Sequence, residues 1–485
     1  MQDERMKKLE ALIAKGINPY PYSYDRKEYA GEVKREFPKF DGKEVSLAGR
    51  LLSRRRHGKL IFADLQDVTG KIQLCFRFDE IGEEKFNLFE LFDIGDLIGV
   101  KGKAFKTQRG EESVMISDYT MLGKAIRDLP EKWHGLTDID ARYRQRYIDL
   151  IMNDDAMQFA MVRSKMISAI RQFLDANRFI EVETPILQPI YGGAAARPFK
   201  TYHNALKSEL FLRIAVELYL KRLIIGGMER VYEIGKNFRN EDIDSKHNPE
   251  FTMVEFYSAY WDYNDVMNFC EKLFCHVVNS VYGKTKIPYQ GKELEFGGKW
   301  ARVSFVDGIK EGSGVDVLSF KSDEEARAVA KKLGVVVDAN ANIAHVIDAM
   351  FDEYLQPKLI QPTFVIDYPA IMCPLTKAKR GDPRLSERFE LFVGGRECAN
   401  AYSEMTDPIE QRKKFMEQAQ ELGRGDEEAQ PWDEDFLVAI EHGMPPTGGI
   451  GIGIDRLAML ITDNISIKEV ILFPSMKPKT DAIEK

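Results

Sequence analysis

The sequence predicts an α+β chain with two folded parts: a small β-barrel near the N-terminus, and a larger domain in which strands alternate with helices. Three observations carry this. The chain has 485 residues, enough for roughly two to four domains. Five short alternating apolar segments lie between residues 44 and 123. Past residue 154 a long helical stripe gives way to hairpins with polar faces. Hydrophobic residues make up 44% and charged residues 30%, which excludes a wholly disordered chain.

Residues 1–43 read as a helix and linker. Lys7 to Lys15 is amphipathic, Gly16 stops it, and Asn18-Pro-Tyr-Pro-Tyr22 cannot be helical. Residues 44–123 read as a barrel. Its strands are expected at 45–52, 60–66, 71–77, 96–105 and 113–122, with a helix at about 80–91 between the third and fourth. That order matches an OB-fold, although other small barrels share the pattern. Residues 124–153 read as a linker, dense in arginine between 140 and 149. A second domain is expected over 154–485, opening with a helix at 154–176. Phe159, Val162, Met166, Ile170 and Phe173 form one stripe on it, suited to a core or a dimer surface. Residues 290–360, with helical patterns at 322–334 and 341–356, read as an inserted subdomain.

Net charge is −8. Residues 1–150 hold 28 Lys and Arg against 26 Asp and Glu, and the remainder 41 against 51. Charge alone therefore does not mark a nucleic-acid binder, and only a local patch such as Arg54-Arg-Arg56 can. No window approaches ~18 uninterrupted apolar residues, so no membrane span is expected. Met1-Gln-Asp-Glu-Arg5 lacks the apolar core of a secretory signal. The five cysteines, at 75, 270, 275, 373 and 398, are odd in number and lack C-x-x-C spacing. A disulfide framework is not expected, and a reducing cytoplasm fits best.

Three segments can carry chemistry. Arg230 to Phe238 and Phe251 to Tyr257 read as strands around a polar loop. Alternation gives Asn237, Arg239 and Glu241 one face of the first strand and Phe251, Met253, Glu255 and Tyr257 one face of the second, so that a long hairpin would show a single polar face. Solvated surface ion pairs would show the same spacing. In the second segment, Arg388 to Glu404, Gly394-Gly395 signals a hairpin turn. A two-residue turn sets Phe392 opposite Glu397, with Glu390 diagonal on the same face. Two such carboxylates repel unless a cation lies between them, and Mg²⁺ carrying phosphate is a natural bridge. Strict alternation puts Asn400, Tyr402 and Glu404 on the opposite face, and only a β-bulge near Cys398-Ala399 would merge the sets. The third segment, Gly448-Gly-Ile-Gly-Ile-Gly-Ile-Asp-Arg456, is neither a dinucleotide fingerprint nor a P-loop. Its glycines would let a flat ring lie on the strand while Arg456 stacks on it or meets phosphate.

Arg239-Asn-Glu241, the glycine-rich strand ending at Arg456, and the helix–strand–Pro185 opener resemble motifs 2, 3 and 1 of the class II aminoacyl-tRNA synthetases. Within that class the lysyl-specific branch is the nearest likeness. It rests on Tyr143 to Asp149, Gly192 to Phe199, Leu212 to Arg222, His247 to Thr252 and Gly394 to Glu404, and spans about Lys8 to Phe473. The resemblance implies an antiparallel catalytic sheet flanked by helices, behind an OB-fold anticodon-binding domain. It implies that L-lysine is activated by ATP and transferred to the 3′ end of tRNA(Lys), with Mg²⁺ as cofactor, in a homodimer without a membrane anchor. Arg239 and Arg456 would then be catalytic. ATP would be held by Arg239, Glu241, His247, Asn248, Phe251, Glu390 and Arg456, with Glu390 and Glu397 as metal ligands. Lysine would meet Gly193, Glu217, Glu255, Tyr257, Asn400, Tyr402 and Glu404. The anticodon would meet Arg54, Phe62 and Gln73.

Some residues depart from the family pattern. Asp242 follows Glu241 where glycine is frequent, Lys236 stands in an arginine place, Lys246 precedes His247, Tyr402 replaces phenylalanine, and Cys398 has no assigned role. Readings as an aspartyl- or asparaginyl-type enzyme, or as a catalytically silent RNA-binding relative, fit the pocket acids and the intact motifs less well.

Overall fold

The structure, a computed structural model, describes residues 2–130, 136–373, 375–423 and 430–478. Residues 131–135 of the expected linker lie outside the described residues. Two compact units form, one of residues 1–138 with 150–153, the other of 139–149 with 154–485.

In the first unit, helix α1 (Gln2–Ala14) precedes a closed barrel of β1 (Glu44–His57), β2 (Leu60–Asp67), β3 (Gly70–Arg77), β4 (Leu97–Lys106) and β5 (Glu112–Gly123). The barrel order is β1-β2-β3-β5-β4, with β3 and β5 parallel and the other pairs antiparallel. The expected OB-fold is thus present. Alternation builds the interior: Ile61, Ala63 and Leu65 of β2 face Ile98, Val100 and Ala104 of β4 and Val114 and Ile116 of β5 in one apolar core. Helix α2 (Phe78–Leu88) lies between β3 and β4 in the chain, and beside it Phe89 stacks on Phe76 and Phe92 while Tyr119 meets their rings edge-on. The buried Lys124 ammonium pairs with Asp93 and Asp96, and Asp93 also takes Lys8 from α1. These paired charges tie the N-terminal helix to the barrel.

In the second unit the arginine-dense segment is not an extended linker. It forms two short helices, Ile139–Arg144 and Arg146–Met152. The Arg142 guanidinium pairs with Glu469 at 3.1 Å, and buried Arg146 donates to the Lys468 carbonyl at 2.6 Å. These arginines clamp the chain's own C-terminal part, which is why they are dense there.

Helix α3 (Asp154–Ala176) follows. Met166 and Ile170 are buried, and Val162 and Phe173 pack on the same core. The ring of Phe173 lies 5.1 Å from that of Phe269 in α5 (Tyr263–Tyr282). These four residues of the stripe therefore serve this chain's own core, while Phe159 is half-buried outside it. The sheet strands are β6 (Ile180–Glu181), β7 (Arg230–Phe238), β8 (Glu250–Ala259), β9 (Ala301–Ser304), β10 (Thr363–Pro369), β11 (Asp382–Val393), β12 (Arg396–Ser403) and β13 (Thr447–Gly453). Their order is β9-β10-β11-β12-β13-β8-β7-β6, and Ala378–Lys379 adds a short ninth strand beside β11. Only the edge pairs β9–β10 and β6–β7 are parallel. One face of the sheet offers Val254, Phe256, Phe389, Leu391, Ala399, Ala401, Ile450 and Ile452 to the core under α3, α5 and α8 (Ile454–Ile461). The other face is left for polar residues. Helix α4 (Glu217–Ile225) packs on it through Val216 and Leu220, which meet Val231 and Tyr257.

Within the expected 290–360 insertion lie α6 (Asp323–Leu333) and α7 (Ile343–Tyr354). Ser322 and Asn342 cap their N-termini with side-chain oxygens, and Gly334 ends α6 in the left-handed region. Their core of Ala326, Ala330, Val346, Ile347 and Phe351 continues into Val365, Tyr368 and Phe392 of the sheet.

Candidate active site

A cleft of about 450 Å³ opens on the polar face of the sheet. Its walls come from β8, β11, β12 and β13, from Gly193 and the start of α4, and from the loop between β7 and β8. Two irregularities in the sheet create the wall. Leu391 pairs with Ala399 but Phe392 pairs with Glu397, so Cys398 is an extra residue on β12. This bulge turns Glu397 to the same face as Asn400 and Tyr402, which strict alternation forbids. A second register shift, at Asp367 with φ +63°, brings Tyr368 to the face of Glu390. Its hydroxyl donates to Glu390 Oε2 at 2.9 Å.

The outer half of the cleft is rich in arginine. Arg388 pairs with Glu390, and Arg456 Nη1 pairs with Glu397 Oε2 at 2.8 Å. Arg456 also lies 3.4 Å from His247 Nε2. The Arg239 guanidinium stands 5.1 Å over the ring of Phe251. Burial raises the Glu390 carboxyl despite Arg388, and the nearby charge of Glu397 raises it further. Burial also pushes Glu397 upward, but Arg456 brings it below the ordinary range. One cation between these two carboxylates would relieve the repulsion. Among the described residues no group of three or more His, Cys, Asp or Glu could hold a metal. Two glutamates suit Mg²⁺, which commonly takes one or two carboxylates and completes its shell with phosphate and water.

The inner half is acidic. Glu217, Glu255 and Glu404 are all buried. The Glu255 carboxyl is pushed up to about 7, first by burial and then by Glu217, against hydrogen bonds from the Val216 backbone and Tyr257. Tyr257 donates to Glu255 Oε2 at 3.3 Å. Strand β13 is glycine at this level for a steric reason: a Cβ at 449 would collide with Glu404 Oε1 and the Tyr257 ring. Several buried polar atoms of residues lining this cleft lack a protein hydrogen-bond partner, namely Arg239 Nε, Arg388 Nε and Asn400 Oδ1. Orphan donors and acceptors gathered in one cavity mark a ligand site.

Residues 138–477 match the family described as tRNA synthetases class II (D, K and N), and residues 45–127 match the OB-fold nucleic acid binding domain. A lysine–tRNA ligase of Thermoanaerobacter pseudethanolicus is 52% identical over 478 residues, covering 98% of this chain and 96% of the relative. One from Clostridium novyi is 53% identical over 479 residues, at 98% and 94% coverage. One from Carboxydothermus hydrogenoformans is 51% identical over 475 residues, at 98% and 97% coverage. The chain belongs to the lysine–tRNA ligase family of class II synthetases.

In this synthetase the cleft gathers Gly193, Glu217, Arg239, Glu241, His247, Asn248, Phe251, Glu255, Tyr257, Glu390, Glu397, Asn400, Tyr402 and Arg456, every residue the sequence suggested for it except one. Glu404 is not on the wall. It sits fully buried behind Tyr257 and Gly449, drawn to Lys221 at 2.5 Å. Asn248 lines the cleft, but its amide is already used by the Glu250 carbonyl and the Ser475 N–H.

On the barrel, Phe62 lies on the outer face of β2, half-buried, and Asp64 pairs with Gln73 beside it. Ser113 Oγ donates to Gln73 Oε1 at 3.0 Å. Arg54 is not on that face. It pairs with inward-facing Ala63 in the β1–β2 register, and its guanidinium donates to the carbonyls of Phe89 and Phe92 at the end of the barrel helix. Arg55, opposite Phe62, is the exposed arginine on the outer face.

Sequence reasoning missed Lys221, Arg388, Tyr368 and Cys373. Arg388 was within reach, since it alternates in phase with Glu390. Cys373, whose thiol lies 3.4 Å from Arg388 Nη1, comes from a segment without a motif.

Proposed function

We propose that this cleft activates L-lysine with ATP and passes the lysyl group to the 3′ end of tRNA(Lys). The observation that carries this reading is the division of one cleft into an arginine-lined outer half and a buried acidic inner half, with Glu217 and Glu255 on its wall and Glu404 behind it. The outer half suits a polyphosphate and a developing phosphoryl charge. The inner half suits an amino acid with a second ammonium group.

In this reading Phe251 and Arg456 hold the adenine between them, and Glu241 meets its amino group. His247 lies toward the outer phosphates, Glu217 and Gly193 receive the α-ammonium, and Glu404 with Tyr257 takes the ε-ammonium. Glu390 and Glu397 would hold Mg²⁺, which when bound draws charge from the phosphates. Arg239 orients the lysine carboxylate toward the α-phosphorus and stabilises charge as the new carboxyl–phosphate bond forms. The bond between the α- and β-phosphates breaks, and pyrophosphate leaves. The ribose hydroxyl of tRNA then attacks the lysyl carbonyl and AMP departs. No nucleophile from the protein is required. An aspartyl or asparaginyl pocket would need a cation or an amide reader where this one has buried acids. Pyrophosphate exchange measured with each of the twenty amino acids decides the matter: lysine alone should support it, and exchange driven by aspartate or asparagine instead would overturn the reading.

The barrel's outer face is proposed to hold the anticodon, Phe62 stacking on a base and Gln73 reading an edge. Phe62→Ala should lower tRNA charging roughly tenfold or more, since a lost stack costs ~1–3 kcal/mol. Because Phe62 is outside the barrel core, lysine-dependent exchange without tRNA and the melting temperature should be unchanged. Equal loss of both activities in a folded variant would refute the division of labour.

A homodimer is also proposed. Met161 on α3, Ile180 on β6, and Ile186 and Leu187 beyond it are exposed apolar groups around the motif 1 segment, and they would be covered by a second copy. Light scattering at micromolar concentration should give the mass of two chains, whereas a fully active monomer would contradict this. Among the described residues no helix is long and apolar enough to cross a membrane. The five cysteines are free, in keeping with work in the cytoplasm; recovery in a secreted fraction would oppose that placement.

A further inference from the structure

Lys221 touches no surface of the cleft and is completely buried. Its ammonium lies 2.5 Å from Glu217 Oε1 and 2.5 Å from Glu404 Oε2. Glu217 begins α4 and Lys221 is one turn later, so the helix itself fixes their spacing. Glu404 comes from the far side, at the end of β12, where it bridges Thr376. An uncompensated ammonium at this depth would not stay charged. With two carboxylates on it, Lys221 remains firmly cationic, its affinity for protons raised over the burial effect by Glu217 and Glu404.

We propose that Lys221 is a positioning residue for amino-acid selection: its buried ammonium bridges Glu217 and Glu404 and fixes their separation, so that the inner half of the cleft can accept the two ammonium groups of a diamino acid.

Glu217, Glu255 and Glu404 bring three buried carboxyl groups together, and Lys221 is bonded to two of them. A lysine substrate would bring two further ammonium groups, α and ε, to the same cluster. Oε2 of Glu404 lies 2.5 Å from the Lys221 ammonium, and Oε1 lies close against Gly449, so the carboxylate is held from the side away from the cleft. The titratable groups facing Glu404 are Lys221 and Glu217 from α4, and Glu255 and Tyr257 from β8; Thr376 adds a hydroxyl and Gly449 nothing. Burial drives the Glu404 carboxyl well above the ordinary range, Lys221 pulls it down, and Glu217 and Glu255 push it up. Without Lys221 the pocket would hold a proton more tightly, and lysine would have to displace it.

The proposal rests on the reading of this cleft as a lysine site, and wild-type exchange with lysine tests that reading separately. Lys221→Met keeps an unbranched chain of similar length and removes the charge. In Lys221→Met the KM for lysine should rise roughly tenfold to a hundredfold, as for a lost charge-assisted bond. The KM for ATP should stay within about twofold, because the outer half of the cleft keeps all its residues. The acid limb of kcat/KM for lysine should move upward by about one pH unit, since the Glu404 carboxyl must ionise without its cation. A folded variant with the wild-type KM for lysine and the wild-type pH profile would overturn the proposal. So would equal losses toward lysine and ATP with an unmoved profile, which a merely structural role would give. If Lys221→Met does not melt cooperatively, Lys221→Gln answers the same question, because it keeps a donor but not the charge; wild-type lysine kinetics there would also overturn it.

Discussion

Glu404→Gln should lose most lysine-dependent pyrophosphate exchange. The substitution keeps the shape of the side chain and removes the charge that would meet the ε-ammonium. Truncating one partner of a buried charged hydrogen bond costs ~2–5 kcal/mol, which is roughly thirtyfold to several thousandfold in kcat/KM for lysine. Most of the loss should appear in the KM for lysine, with the KM for ATP little changed. The fold should tolerate it: Lys221 keeps Glu217, and a carboxylate that burial disfavours is replaced by a neutral amide. A melting temperature within about 5 °C of wild type, the shift expected of roughly 1–2 kcal/mol in a domain of this size, would show that lost activity is not unfolding. Near-normal lysine activation by the folded variant would sink the assignment of the inner pocket.

Arg239→Ala should be as damaging, but in kcat. The Arg239 guanidinium lies over Phe251, is half-buried, and has Nε free of any protein partner. Burial lowers its pKa in spite of Glu241, Glu397 and Glu255, so the cation is held in a site that disfavours charge until phosphate arrives. Removing one preorganised donor to a developing anion costs roughly 10²–10³ in kcat. A guanidinium supplies more than one donor, so roughly 10³ or more is expected of alanine. Lysine at 239 would keep the charge but lose the fork, and should recover only part of the rate. Single-turnover formation of the adenylate reads this directly. A rate within tenfold of wild type in Arg239→Ala would remove Arg239 from the chemistry.

Much of this was legible in the sequence where a local rule governs. The barrel strands followed alternation, and the helix before β4 followed its own apolar spacing. Hairpin phase from Gly394-Gly395 puts Glu390 and Glu397 on one face. What alternation cannot tell is whether Asn400 and Tyr402 share it. That depended on one extra residue at Cys398, which leaves no mark in residue type. The stripe on α3 was legible as apolar but not as to its partner. Its period says that a face is buried, and only the packing of α5 shows against what. Arg54 was misleading for a similar reason. An arginine beside two others reads as a charged patch, yet this one is spent on helix-end carbonyls. Lys221 was hidden because a lysine on a helix next to Arg222 reads as a solvated face; its burial is set by Glu404, 183 positions later in the chain.

The bulge at Cys398 also affects how variants should be interpreted. A hairpin with one surplus residue has two neighbouring ways to place it, and a slip by one step would put the thiol of Cys398 where the carboxylate of Glu397 now stands. The competing arrangement would press a charged glutamate against the apolar side of the sheet, and Glu397 would lose its 2.8 Å bond to Arg456. The charge of Glu397 thus helps select the isomer of the hairpin in which that charge is useful. An uncharged residue at 397 would relax this selection, so its phenotype would mix a lost ligand with a population of register-shifted chains.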